Sequence, residues 1–111
     1  MRRFLLIGLT VLMGCTGGQP GVPDCGTMPD LSQLTRVQRM ALEDTLRRTQ
    51  DLCGERGQGC NFRLTPYQDG LSVIAQSAYD QISLKCAQIK GGNPVFLYDA
   101  SGRFKDQLPG M

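Results

Sequence analysis

Four cysteines, Cys25, Cys53, Cys60 and Cys86, constrain this 111-residue chain more than any other feature. A chain so short fills one small hydrophobic core and has nothing left for a second domain. A core of that size is marginal alone, and an even cysteine count in a small exported domain predicts two disulfides. Three pairings are open. Cys53 and Cys60 bracket Gly54-Glu55-Arg56-Gly57-Gln58-Gly59, a Gly-rich stretch easily bent into a closed ring. Cys25–Cys86 would then tie the start of the domain to its second half. The chain lacks any Cys-x-x-Cys pair, which disfavours a four-cysteine zinc site and a redox-active dithiol alike.

Disulfides require an oxidising compartment, and the first fifteen residues supply the route to one. Arg2 and Arg3 precede the apolar run Phe4–Met13, which ends at Gly14 and Cys15. A basic start, a short apolar run and a small residue make a secretory signal peptide. The run is too short to span a bilayer, which takes about 20 residues. Leu12-Met13-Gly14-Cys15 resembles the lipobox of bacterial lipoproteins, Leu-x-Gly/Ala-Cys, with Met13 a less usual residue at the second position. The resemblance implies diacylglycerol transfer to the Cys15 sulfur, cleavage between Gly14 and Cys15, and acylation of the new amino terminus by a fatty acid such as palmitate. One acyl chain holds a protein only marginally, whereas two or more anchor it stably. Thr16, standing where Asp would retain a lipoprotein at the inner membrane, implies by the same resemblance the outer membrane facing the periplasm. In a Gram-positive cell the address becomes the single membrane.

The chain therefore divides into a signal peptide at 1–14, the lipidated Cys15 with a tether at 15–30, and a small periplasmic domain at 31–111. Thr16-Gly17-Gly18-Gln19-Pro20-Gly21-Val22-Pro23-Asp24 is rich in Gly and Pro, as a flexible spacer requires. The net charge of +2 vanishes with the signal: twelve basic residues less Arg2 and Arg3 leave ten, against ten acidic ones. A neutral mature chain with interspersed charges has no nucleic-acid footprint.

From Leu31 to about Cys53 the apolar positions are helical. Leu34, Val37, Ala41, Thr45, Thr49 and Leu52 recur at three- and four-residue steps, widened by Leu42 and Leu46. Arg36, Arg39, Glu43, Arg47 and Gln50 fill the opposite arc as a solvated face. Glu43–Arg47 and Asp44–Arg48 have favourable spacing. Asp30 or Ser32 can cap the start, and Gly54 supplies a stop. Cys60–Thr65 and Leu71–Ser77 read as a β-hairpin with its loop around Pro66 to Gly70. The same stretch supports a rival helix opened by Thr65-Pro66, because Leu71, Ile74, Ala75, Ala78, Ile82, Cys86 and Ile89 fit a 3.6-residue period. Gly91-Gly92-Asn93-Pro94 breaks the chain. Val95–Tyr98 and Arg103–Lys105 then flank the hairpin loop Asp99-Ala100-Ser101-Gly102, and Leu108–Met111 forms a short tail. The economical assembly is α+β: one amphipathic helix on a small antiparallel sheet stapled by disulfides. A helical hairpin with a C-terminal β-hairpin is the alternative.

The absence of His removes Ser-His-Asp and Cys-His catalysis and every imidazole metal site. Ser72, Ser77, Ser83 and Ser101 have no visible base. Gly57-Gln58-Gly59 lacks the phosphate-loop Lys and belongs better to the cysteine-bounded ring. No enzyme, cofactor, metal or small-molecule substrate is expected. The expected activity is protein contact, as a lipid-anchored accessory of an envelope, secretion or conjugation assembly whose envelope-protein partner is unidentified. The alternative is a periplasmic inhibitor or immunity lipoprotein against a muralytic or toxic enzyme. Ser101, Gly102 and Arg103 form the candidate binding loop. The segment Ser101–Lys105 is similar to the Ser-Gly-x-x-Tyr loop of bacterial lysozyme inhibitors, although Lys105 stands in place of their Tyr. Ser-Gly is also ordinary hairpin chemistry. Tyr67, Tyr79 and Tyr98 are the aromatic residues available to anchor a partner.

Overall fold

The computed structural model of the protein describes residues 21–110. The signal segment 1–14, the cleavage pair Gly14 and Cys15, and the first part of the tether lie outside the described residues. A 3-10 turn, Leu31–Gln33, leads to helix α1, Arg36–Arg48, and a short helix α2, Gln50–Cys53. Strands β1, Cys60–Tyr67, β2, Gly70–Ser77, β3, Val95–Tyr98, and β4, Phe104–Leu108, follow. They pair antiparallel in the order β1-β2-β3-β4, and α1 covers one face of the sheet. The chain is thus α+β.

The helical segment begins and ends where local chemistry dictates. Asp30 accepts from Ser32 N–H and caps the 3-10 turn, after which Leu34 is extended and separates that turn from α1. Thr35 then opens α1 with a reciprocal box: Gln38 N–H donates to Thr35 Oγ1 at 3.1 Å, and Thr35 N–H to Gln38 Oε1 at 2.8 Å. The expected single helix from Leu31 to Cys53 is therefore divided, and it divides again at Thr49. There two buried threonines bond backward, Thr45 to Ala41 O and Thr49 to Thr45 O, which competes with the regular ladder. Gly54 ends α2 at φ +88°, a left-handed value that suits Gly. Arg36, Arg39, Glu43, Arg47 and Gln50 are all exposed, as a solvated face should be. The expected Glu43–Arg47 pair gives way to Arg47–Asp44, so Asp44 holds both Arg47 and Arg48.

The hairpin over 60–77 forms and the rival helix does not. Its turn is tighter than expected, because Tyr67 pairs with Gly70 and leaves only Gln68 and Asp69 to reverse the chain. Pro66 sits within β1, which is tolerable on an edge strand whose outer N–H is not needed for pairing. Gly70 lies so close to Tyr98 O that a Cβ there would overlap it, which a helix through this point could not reproduce. Between Ser77 and Val95 the chain forms no helix or strand, only the isolated Tyr79–Cys86 bridge, and Cys86 is captured by Cys25. Strand β4 extends to Leu108 and so absorbs the first residue of the expected tail.

The core lies between α1 and the sheet. Register puts Phe62 opposite Ala75, Leu64 opposite Val73, and Val73 opposite Phe96, all on the helix side. Ala41 and Leu42 meet these residues together with Cys53, Cys60 and Tyr98. Tyr98 is fully buried and its hydroxyl donates to Asp44 Oδ2 at 2.9 Å. Arg48 Nε donates to the same oxygen at 2.6 Å, while Thr45 Oγ1 lies 2.7 Å from the phenol. The Arg48 guanidinium in turn sits 3.6 Å above the Phe104 ring. Burial would raise the Asp44 carboxyl, but hydrogen bonds from Arg48 and Tyr98 and the charges of Arg48 and Arg47 hold it below its ordinary 3.8. Burial drives the Tyr98 phenol far above its usual range, so it remains a donor.

Residues 22–27, within the expected tether 15–30, are docked on the fold. Gly26 N–H donates to Gln58 O at 2.7 Å, and both the N–H and the hydroxyl of Thr27 donate to Asn61 Oδ1. The Gln58 amide reaches Val22 O at 3.4 Å. Residues from Val22 onward are therefore fixed against the start of β1, held there by Cys25–Cys86 and by main-chain bonds that composition does not reveal.

Of the three pairings, the structure has Cys53–Cys60 nested inside Cys25–Cys86, with separations of 7 and 61 residues. Loop-closure entropy assigns about 4 kcal/mol to the long bridge and about 2.5 kcal/mol to the short one. Replacing Cys25 and Cys86 together by Ser should lower unfolding stability by about 3–4 kcal/mol in urea titrations. Tyr98→Phe should cost about 1–2 kcal/mol at neutral pH by leaving Asp44 one donor short. Because the Asp44 value is depressed, that contribution is whole above its ordinary 3.8 and fades as the carboxylate protonates below it. Stability curves of the two chains measured across this range should therefore converge in acid.

Candidate functional site

The two ends of the sheet differ in character. At one end lie the turn Gln68–Asp69, the loop Asp99–Gly102 and the start of α1, because antiparallel pairing stacks Tyr67, Gly70, Leu71 and Tyr98 there. At the other end lie both disulfides, the docked residues 22–27 and the long loop between β2 and β3.

The candidate loop Ser101, Gly102 and Arg103 is built around one carboxylate. Asp99 Oδ1 accepts from Ser101 N–H at 2.9 Å, Ser101 Oγ at 2.6 Å and Arg103 N–H at 3.0 Å. Asp99 N–H donates to Arg103 O and Gly102 N–H to Asp99 O, closing the turn. Gly102 adopts φ +89° and is buried against Val37 and Met40 of α1, which explains Gly at that point. Hydrogen bonds from Ser101 and Arg103 lower the Asp99 carboxyl to about 2. Ser101 and Arg103 project outward from a turn that is already satisfied internally. Ser-Gly is accounted for by hairpin geometry, and Lys105 is an exposed residue of β4.

Beside this loop a cleft of about 210 Å³ opens between the first turn of α1, the β1–β2 hairpin and Ala100. Val37, Leu64, Pro66 and Leu71 make its apolar walls, while Thr35 and Asp69 stand among its polar lining residues. Thr35 and Gln38 are occupied with each other in the helix cap, so the cleft offers shape and apolar surface more than free donors. Such a site suits a side chain inserted by a protein partner. None of its residues except Ala100 adjoins the expected binding loop in sequence. They converge from three separate segments, and only the pairing of strands brings them together.

The three tyrosines separate. Tyr98 and Tyr79 are buried, the latter donating to Leu52 O at 2.7 Å, and Tyr67 alone exposes much of its ring at the cleft end of the molecule. Among the described residues, no group of three or more His, Cys, Asp or Glu is gathered as a metal ion would require. Among them, too, no helix is long and apolar enough to cross a membrane. No protein-family model matches the chain, and no curated protein or solved structure shows significant similarity to it.

The depressed Asp99 value sets the acid behaviour of the loop. Its support for the turn is whole above the ordinary 3.8, declines as pH falls and is lost below about 2. Carboxyl resonances followed by NMR should give Asp99 a midpoint near 2, with the Arg103 amide shifting in step. A midpoint at the ordinary value would mean that the turn is open in solution.

Proposed function

We propose that the protein is a lipid-anchored cell-envelope lipoprotein that acts by binding another envelope protein, as an accessory of an envelope, secretion or conjugation assembly. The observation that carries this reading is the opposition of the two ends. The chain from Cys15 enters at the disulfide end, and the cleft with its neighbouring Asp99–Arg103 turn opens at the other. A domain held on an acylated cysteine would present that cleft away from the bilayer. Two bridges and the Tyr98–Asp44–Arg48 lock support the same reading, since a preorganised surface loses little entropy on association. The charged groups tied most closely by hydrogen bonds, Asp44 and Asp99, are spent on folding, which favours binding over catalysis.

Two measurements test it. Cys15→Ser should release the protein from the membrane fraction or leave it unprocessed, while the wild type remains with membranes. Capture with the full acylated chain, followed by mass spectrometry, should recover an envelope assembly component. Ala100→Arg, which fills the cleft mouth, should reduce that recovery tenfold or more, at a cost of about 1.4 kcal/mol or greater in binding. Recovery of a muralytic or toxic enzyme with loss of its activity would assign the protein to inhibition instead. Turnover of any substrate would overturn both.

A further inference from the structure

The loop between β2 and β3 displays the most exposed large apolar side chain among the described residues. Ile82 is 96% exposed and Leu84, two residues on, 42%. Their exposure is built in. Asp80 Oδ1 accepts from Ile82 N–H and Ser83 N–H, Leu84 N–H donates to Asp80 O, and Asp80 N–H to Lys85 O. Leu84 is held at φ +60°, a left-handed conformation that Gly or Asn would occupy with less strain. A turn made in this way, with an isoleucine at its tip, spends no apolar surface on the core.

The base of that turn is where the amino-terminal chain attaches. Tyr79 pairs with Cys86, and Cys86 is bonded to Cys25. Ile82 is four residues from Cys86, a reach of roughly 13 Å at most. Between Cys15 and the first fixed residue, Val22, the chain spans at most about 25 Å, comparable with the length of an eight-residue strand. A bilayer holding Cys15 therefore lies within reach of this loop, on the side opposite the cleft. Behind the tip, Leu52, Tyr79 and Ile89 line a groove of about 410 Å³ that gives the turn an apolar flank. The segment 80–90 carries Lys85 and Lys90 against Asp80, a net charge of only +1, so aliphatic contact is the main attraction on offer.

We infer that the Asp80–Lys85 turn is a membrane-contact element, inserting Ile82 and Leu84 at the headgroup–acyl boundary beside the anchor and fixing the domain's orientation on the bilayer. This rests on acylation of Cys15, proposed above. The tether holds the turn at high effective concentration over the lipid, so a contact too weak to recruit a free protein still orients an anchored one.

The chain has no Trp, so one introduced residue reports its own surroundings. The full acylated chain carrying Ile82→Trp is reconstituted into vesicles of phosphatidylethanolamine and phosphatidylglycerol containing brominated lipid, beside a chain carrying Tyr67→Trp at the cleft end. The indole of Ile82→Trp should be quenched about twofold or more, and that of Tyr67→Trp by little, as an interfacial contact at one end requires. Both sites are exposed, so neither change disturbs the core. An acylated chain whose Ile82→Trp indole is unquenched overturns the inference and leaves the anchor standing. Equal quenching at both sites overturns the fixed orientation. A blue shift that arises only when envelope proteins are added assigns the loop to a protein and overturns the lipid contact. A mass showing no acyl chain refutes the anchor, and the inference with it.

Discussion

The closure of Cys53 onto Cys60 is the constraint on which the rest of this fold depends. It joins the end of the helical segment to the first residue of the sheet across six residues, three of them Gly. Both sulfurs are fully buried, and Gly59 N–H donates to Cys53 O across the ring. With that corner fixed, α1 can only run back along the sheet, which lays Ala41, Leu42 and Thr45 over Val73, Phe96 and Tyr98. The remaining freedom is the angle of the helix on the sheet. It is removed at the middle of α1 by the phenol of Tyr98, which reaches Asp44 and Thr45 from β3. Removing the Tyr98 hydroxyl would leave packing alone to set this angle.

Much of this is legible in the amino-acid sequence itself. The 3.6-residue pattern from Leu34 to Leu52 marks the buried side of the helix, and Ala41, Leu42, Thr45 and Thr49 are buried as it requires. Asp99-Ala100-Ser101-Gly102 forms the hairpin loop it resembles, because its carboxylate and its left-handed Gly are local chemistry. The stretch from Thr65 to Ile89 is harder, since its apolar residues satisfy two periods at once. Pairing decides it: Leu71–Ile74 find Val95–Tyr98 across twenty intervening residues, and no local pattern contains that information. The Asp99–Gly102 turn is legible from its turn residues, whereas the cleft beside it is not. Thr35, Leu64, Pro66 and Leu71 acquire a common surface only after the strands have registered. Ile82 misleads for the opposite reason: hydrophobicity alone assigns it inward, and only the Asp80 turn reveals that it points out.

The molecule thus separates two kinds of polar investment. Asp44 and Asp99 are tied by side-chain and main-chain donors and serve rigidity. The cleft presents largely apolar walls at one end and the Asp80–Lys85 turn displays Ile82 and Leu84 at the other, each framed by hydrogen bonds. A rigid body with two such ends fits the reading proposed above, with one end toward the bilayer and the other toward a protein neighbour.

The nesting of one disulfide inside the other also bears on how the domain reaches this state. On the export route proposed above, a chain threaded through a membrane amino terminus first would expose, after the acylated Cys15, Cys25, then Cys53, Cys60 and finally Cys86. An oxidase that joined thiols in order of arrival would link Cys25 to Cys53, a pairing the finished domain does not contain. Ring-closure statistics work against that error, because seven residues close roughly eightfold more readily than twenty-eight. On that route Cys53–Cys60 would close quickly once both had emerged, leaving Cys25 to wait for Cys86. The glycines of the short ring would then act in time as well as in space, withdrawing two competitors before the last cysteine arrives.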